Sequence, residues 1–251
     1  MNELVVDIRR KAYRNGTCAI DQLAFIARPG EFVALVGPSG AGKTTLLNLV
    51  AGLDQDMEGR ICFGMGNRPA ERPRTSFMFQ EPRLMPWLTV RQNLELVLRP
   101  HGMTLDEATV ERLLADVGLG GCMDMYPDQL SGGMKRRVAL LRAFIIEPGL
   151  LLMDEPFESL DQPTAMHLRE LLHDLWQRTR PTVLFVTHSL HEALALADRV
   201  LFLSARPSRV ILDFPVPAER PRQMGDAAVA RLHDAVLARH PHLLEGIAAK
   251  D

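Results

Sequence analysis

Two glycines, a lysine and a threonine at fixed spacing carry the clearest chemistry in this chain. Residues 37–44 read Gly-Pro-Ser-Gly-Ala-Gly-Lys-Thr, so Gly37, Gly42, Lys43 and Thr44 fit the G-x-x-x-x-G-K-[ST] phosphate loop. Gly40 and Gly42 allow backbone torsions and close approaches that a side chain would obstruct, so successive amide NH groups can turn inward on one phosphate. A helix beginning near Lys43 adds the positive end of its dipole. That dipole is worth about 0.3 to 2 kcal/mol per charge, against about 8 kcal/mol for micromolar binding. A full charge is therefore needed, and Lys43 supplies it to the β and γ phosphates while the Thr44 hydroxyl helps to hold Mg²⁺. A glycine-rich turn that binds nothing has no need of the lysine, the threonine and the strand and helix that flank them.

A second cluster is Leu-Leu-Met-Asp-Glu-Pro at residues 151–156, an apolar run ending in two carboxylates. Open parallel sheets bind ligands at the carboxyl ends of their strands. Asp154 there can complete the Mg²⁺ shell, and Glu155 can orient or deprotonate a water facing the γ phosphate. The alternative is a solvated turn. Residues 183–187 form a similar run and end at His188, which is either structural or in contact with the γ phosphate and the attacking water. Leu130-Ser131-Gly132-Gly133-Met134 reads as a capped helix start whose glycines expose amide NH groups, a second anion site. One chain has little use for two such sites without a second nucleotide or a second chain. The following Lys135-Arg136-Arg137 reads as a solvated helical face rather than a nucleic-acid patch. Tyr13 either packs on the sheet or offers a flat face to adenine.

The elements that must position these groups follow from periodicity and turn signals. Short apolar stretches in residues 3–36, with turns at 14–16 and 29–30, predict strands, as do residues 56–63 and 75–79. Two prolines at 82 and 86 then hand the chain to a helical region. Helix starts are expected at Thr89, with Gln92 in capping-box spacing, at Thr104, with Glu107, and at Ser131, leading a helix over 134–146. Residues 82–148 therefore read as a mostly helical insertion. Strands at 150–154 and 182–187 alternate with helices at 164–177 and 189–197, the last with a Ser189–Glu192 capping box. Strands at 200–203 and 209–214 and a terminal helix at 226–238 complete an α/β pattern with a parallel sheet.

Composition sets outer limits. The 251 residues suffice for one large domain or a core with an inserted lobe, and 47% hydrophobic with 24% charged residues is ordinary for a globular chain. The longest apolar stretch, 138–153, is broken by Arg142, Glu147 and Pro148, and the start lacks a secretory pattern, so a cytoplasmic location is expected. A net charge of −2 argues against bulk nucleic-acid binding. Cys18, Cys62 and Cys122 are isolated and odd in number, which predicts reduced structural thiols rather than disulfides or a zinc site.

The ordered set resembles the ATP-binding subunits of ATP-binding cassette (ABC) transporters, over nearly the whole chain. Residues 37–44 match its Walker A motif, Gln80 the glutamine loop, Leu130 to Met134 the LSGG signature, and 151–155 Walker B. Ser159-Leu160-Asp161 matches the D loop and His188 the switch histidine. The resemblance implies a P-loop NTPase (RecA-like) α/β fold, with a mostly parallel core, an N-terminal antiparallel β subdomain and an inserted α-helical subdomain. In that scheme residues 1–251 form a single ABC ATPase domain, with the core and β subdomain at 1–81 and 149–215, the signature subdomain at 82–148 and a tail at 216–251. It implies ATP contacts at Tyr13, Ser39, Gly40, Ala41, Gly42, Lys43, Thr44 and Thr45, and, toward a second cassette's nucleotide, at Ser131, Gly132, Gly133 and Asp161. It implies catalytic roles for Glu155, His188 and Gln80, and Mg²⁺ on Thr44, Gln80 and Asp154.

The implied partners are a second cassette of the same kind, permease subunits at the inner face of the cell membrane, met through residues 82–100 with Leu84, Met85 and Trp87 exposed, and indirectly a solute-binding protein. Residues 79–90, 183–188 and 203–209 look most like the nitrate, sulfonate and taurine importers, which suggests a small anion as cargo, or a pyrimidine-type precursor. Arg136, Glu158, His191 and the bulky Phe144-Ile145-Ile146 depart from that pattern. Competing readings are a lipid or efflux cassette, a soluble nucleotide switch, and a regulatory cassette that binds ATP without hydrolysing it.

Overall fold

The computed structural model describes residues 2–65 and 68–247. Leu4, Val6 and Ile8 alternate with more exposed neighbours and are buried, so β1 (Glu3–Ala12) has one wet and one dry face. It pairs antiparallel with β2 (Cys18–Ala27) and, on its other side, with β4 (Glu58–Met65). The short β5 (Arg68–Ala70) closes this four-stranded sheet in the order β2-β1-β4-β5.

The second sheet has the order β10-β9-β3-β8-β7-β6. Its strands are β3 (Phe32–Val36), β6 (Thr75–Met78), β7 (Leu150–Asp154), β8 (Thr182–Thr187), β9 (Arg199–Leu203) and β10 (Val210–Pro215). All are parallel except β10, which runs against β9. Every residue of β3, β7 and β8 is buried, as uninterrupted apolar runs require when a sheet is covered on both faces. Val36 pairs with Thr187 and Asp154 with Val186. The chain therefore leaves three adjacent strands at the same sheet edge, delivering residues 37–42, His188 and Glu155 to one place.

The two faces bury different partners. Val33 and Leu35 point toward the first sheet and α1 (Lys43–Ala51), with Leu46 and Leu47 between them. Phe32, Ala34 and Val36 point toward α4 (Gly132–Phe144), α5 (Gln162–Thr179), α6 (Leu190–Leu196) and α7 (Ala227–Arg239), where Trp176 meets Phe32 edge to face with centroids 5.8 Å apart. A third apolar cluster joins α2 (Val90–Leu98), α3 (Glu107–Asp116) and the outer side of α4 through Leu94, Leu114, Val138 and Leu141. No helix among the described residues is long and apolar enough to cross a membrane.

Caps show where local sequence rules hold and where a stronger acceptor wins. Thr89 makes both bonds of its box with Gln92. The cap of α3 is Asp106 rather than Thr104: its carboxylate accepts from the Thr109 amide at 2.7 Å and adds a negative charge to the helix start, which a hydroxyl cannot. Ser189 accepts from the Glu192 amide at 3.3 Å, but Glu192 does not reach back. Its carboxylate instead takes Arg169 at 3.0 Å and the Thr187 hydroxyl at 2.7 Å, and the bond to a guanidinium is the stronger choice.

The segment before α2 is held by one fully buried amide. Asn93 Oδ1 accepts from the Met85 amide at 2.7 Å, and its Nδ2 donates to the carbonyls of Met85, Leu88 and Thr89 at 3.0 to 3.2 Å. Next to it, the amides of Val90 and Arg91 donate to the carbonyls of Met125 and Met123. Of the three apolar side chains expected to be exposed here, Trp87 is, at 69%, whereas Leu84 and Met85 are half-buried and Leu84 packs on the third cluster. The proline-broken backbone folds back on α2, so these two side chains spend their apolar surface inside.

Lys11 is almost wholly buried and places Nζ 2.9 Å from Asp54 and 2.6 Å from the Asp56 carbonyl, which ties β1 to the chain leaving α1. The Lys11 hydrogen bond holds the Asp54 carboxyl below its ordinary range. A depressed carboxyl stabilises the fold above its unfolded value and loses that contribution as pH falls through the folded one. Asp54→Asn should therefore lower stability by about 1 kcal/mol at neutral pH, after discounting for the exposed side of the pair. The gap from wild type should close below about pH 4, as urea unfolding at a series of pH values would read.

Candidate functional site

The phosphate loop is shaped by backbone constraints that only glycine meets. Gly40 and Gly42 have φ of +74° and +89°, and a Cβ on Gly42 would lie 3.1 Å from the Ala19 carbonyl. Gly42 caps α1, so the free amides of the first turn face the loop. Lys43 is buried and its Nζ donates to the carbonyls of Gly37 and Pro38 at 2.8 and 3.0 Å, with Glu155 4.0 Å away. Burial pushes its ammonium below the ordinary lysine range, against the pull of Glu155, Asp154 and Glu158. A cation held on two carbonyls across an anion-shaped loop is a group that phosphates can recruit.

Thr44 and Asp154 meet across the sheet edge, Oγ1 donating to Oδ2 at 2.8 Å. Burial raises the Asp154 carboxyl, and the Thr44 bond opposes that rise. Together with Gln80 they line one open cavity of about 710 Å³. Three oxygen-bearing groups of this kind, one of them a carboxylate, are a hard donor set that suits Mg²⁺. Beside them Glu155 Oε2 lies 2.9 Å from His188 Nδ1, with the histidine 61% exposed at the mouth. Glu155 adopts φ of +45°, and its amide donates to the Val186 carbonyl at 3.0 Å, which aims the side chain across from β7 to the end of β8.

The remaining residues named from sequence separate into two places. Tyr13 is exposed at the loop, its hydroxyl 2.8 Å from Thr45 Oγ1, so its ring stands beside the first turn of α1. Ser39 and Gly40 are exposed at the loop tip and Ala41 is buried beneath it. Ser131, Gly132, Gly133 and Asp161 line a different cavity of about 560 Å³, which shares no residue with the one holding Thr44 and Asp154. Ser131 and Asp161 each cap a helix, accepting from Met134 and Thr164 at 3.2 and 3.0 Å. A Cβ at Gly133 would strike Thr164 at 2.9 Å, whereas Gly132 opens on empty space.

Three contacts at the site were not foreseen. Arg206 donates to the Gly40 carbonyl at 3.1 Å and so adds a guanidinium to the phosphate loop from the far end of β9. Arg136 is buried and donates to the carbonyls of Gln80, Pro156 and Glu158 at 2.6 to 2.7 Å, so it is not part of a solvated face. Glu158 accepts from Gln80 Nε2 at 2.5 Å and lies with Glu155 and His188 in a group whose ligand atoms are all within 4.8 Å. The sequence signal was present for the last two, since both positions depart from the family pattern. For Arg206 there was none beyond its charge.

The family model described as ABC transporter matches residues 20–158. An aliphatic sulfonates import ATP-binding protein, SsuB 1 of Pseudomonas aeruginosa (strain UCBPP-PA14), is 45% identical over 234 residues, covering 91% of this chain and 92% of the relative. SsuB 2 of Burkholderia lata is 44% identical over 230 residues, covering 92% and 83%. Among solved structures, a dimeric post-hydrolysis state of an ATP-binding cassette bound to ADP and Pi aligns with a TM-score of 0.71 at 27% identity, over 87% of this chain and all of that one. A second dimeric structure, of a bacterial ABC transporter cassette, gives 0.72 at 27% identity over 86% and 100%.

Proposed function

The chain belongs to the ABC transporter family, and from that premise we propose that it is the ATP-hydrolysing, energy-coupling subunit of an importer for aliphatic sulfonates. The observation that carries the hydrolytic part is the meeting, at one sheet edge, of the phosphate loop, the Thr44–Asp154 pair and the Glu155–His188 pair. The cargo is assigned by the 45% identity to a sulfonate import protein over nine-tenths of both chains. No residue of a cassette need touch the solute, so the site itself says nothing about it.

In this reading the amides after Gly40 and Lys43 bind the β and γ phosphates, and Lys43 exchanges its two carbonyl partners for phosphate oxygens. Tyr13 stacks on adenine. Thr44, Asp154 and Gln80 would hold Mg²⁺, and the ion when bound would offset negative charge on the phosphates. Glu155 takes a proton from the attacking water, and His188 fixes the carboxylate and faces the γ phosphate. The cavity of Ser131, Gly132, Gly133 and Asp161 is turned to the nucleotide of a second cassette, which accounts for two anion sites in one chain. Residues 82–148 act as the signature lobe of a single 1–251 ATPase domain, with 216–251 as its tail. Trp87, the exposed indole before α2, meets the permease on the inner face of the membrane, and a solute-binding protein delivers the sulfonate from outside.

The test is to co-express the chain with each membrane subunit encoded beside it, reconstitute the complex, and follow phosphate release with the binding protein and candidate anions. Stimulation of hydrolysis severalfold by an aliphatic sulfonate such as ethanesulfonate, and not by nitrate, is the expected result. Hydrolysis indifferent to every membrane partner would sink the importer reading.

A further inference from the structure

We infer that Glu158 is a positioning residue that sets which end of the Gln80 amide faces the cation, an inference that rests on the ATPase reading above. A primary amide has a donating and an accepting end of nearly the same shape, and only the oxygen can coordinate a metal. An ionised carboxylate can only accept. The 2.5 Å contact between the two side chains therefore commits Gln80 Nε2 to Glu158 and leaves Oε1 as the end for the cavity it shares with Thr44 and Asp154.

Arg136 supplies the frame in which this contact is made. Its one guanidinium donates to the backbone carbonyls of both residues, Gln80 and Glu158, each at 2.7 Å, and to that of Pro156 at 2.6 Å. The chain leaving β6 and the chain leaving β7 are thereby clasped together where the two side chains meet. Ser159 follows with φ of +61°, a left-handed residue that turns the backbone away directly after Glu158. Two of the residues that depart from the family pattern thus act on the same glutamine, Arg136 on its main chain and Glu158 on its amide. A cation site whose third oxygen is already turned inward loses less freedom on binding than one whose amide rotates freely.

Glu158→Gln removes the commitment, because a neutral amide can face either end of Gln80. The experiment uses the full chain with a non-hydrolysable ATP analogue and measures bound Mn²⁺ by electron paramagnetic resonance for wild type, Glu158→Gln, Gln80→Ala and the double variant. Glu158→Gln should weaken Mn²⁺ by about tenfold, the low end of what an outer partner of a ligand costs. Affinity for the analogue without cation should stay unchanged, and the effect should vanish in the Gln80→Ala background. An effect that persists without Gln80 would mean that the carboxylate acts on the cation through its charge alone, and would overturn the inference. Wild-type Mn²⁺ binding with no change in Glu158→Gln would overturn it too, leaving the ATPase reading intact. A wild-type chain that binds no Mn²⁺ with the analogue would sink both.

Discussion

Glu155→Gln is expected to slow ATP hydrolysis by about 10² to 10⁴-fold, the range that a positioned general base contributes, while ATP still binds. The substitution keeps the size of the side chain and its place against His188 Nδ1, 2.9 Å away, but removes the capacity to take a proton. Nothing in the phosphate loop depends on that capacity: Lys43 rests on the Gly37 and Pro38 carbonyls, and Thr44 on Asp154. Binding and turnover should therefore part company. Phosphate release would report the loss, and size-exclusion chromatography with light scattering should show an ATP-dependent dimer that persists because its nucleotide is not consumed. Turnover within threefold of wild type would move the base to another group, with His188 the first to try.

Lys43→Ala should produce the opposite split, a loss of nucleotide affinity ahead of any change in chemistry. A charge-assisted hydrogen bond is worth about 1.5 to 3 kcal/mol, and a lysine shared between two phosphates forms two, so a loss of about 3 kcal/mol or more is expected. That corresponds to an increase in Kd of about a hundredfold or more, readable by titration calorimetry with ATP. The fold should tolerate the change, because burial already disfavours the ammonium and its removal relieves that cost. The two carbonyls left behind border the open loop and can turn to water. An unchanged Kd would mean that the loop amides and Arg206, beside the Gly40 carbonyl, hold the phosphates unaided.

Much of this was legible from the sequence because the chemistry is local. The phosphate loop, Asp154-Glu155 and His188 each follow a run of four or five apolar residues, and such runs in a chain that alternates strand and helix leave few options but a parallel sheet covered on both faces. The ends of β7 and β8 fell where the sequence put them. What escaped was set by partners distant in the chain. Thr104 and Glu107 satisfy the box spacing, yet Asp106 caps α3, because a spacing rule does not rank acceptors against one another. Glu192 was spoken for by Arg169, which lies 23 positions earlier. Arg136 looked like one more solvated cation in Lys135-Arg136-Arg137, and only the return of two other loops to within 2.7 Å makes it a buried clasp. Leu84 and Met85 sit in a stretch with two prolines that reads as exposed, and the Asn93 amide that folds it inward has no local signature at all.

That buried amide has a mechanical consequence. A loop that carries force must not absorb it, and the three hydrogen bonds Asn93 donates and the one it accepts take up slack in residues 85–89. A push on the Trp87 indole is passed to α2, and from α2 through the Val90 and Arg91 amides to the Met125 and Met123 carbonyls, a few residues before Ser131. The exposed Trp87 and the segment that leads to α4 are thereby joined through hydrogen-bonded backbone rather than through a slack loop.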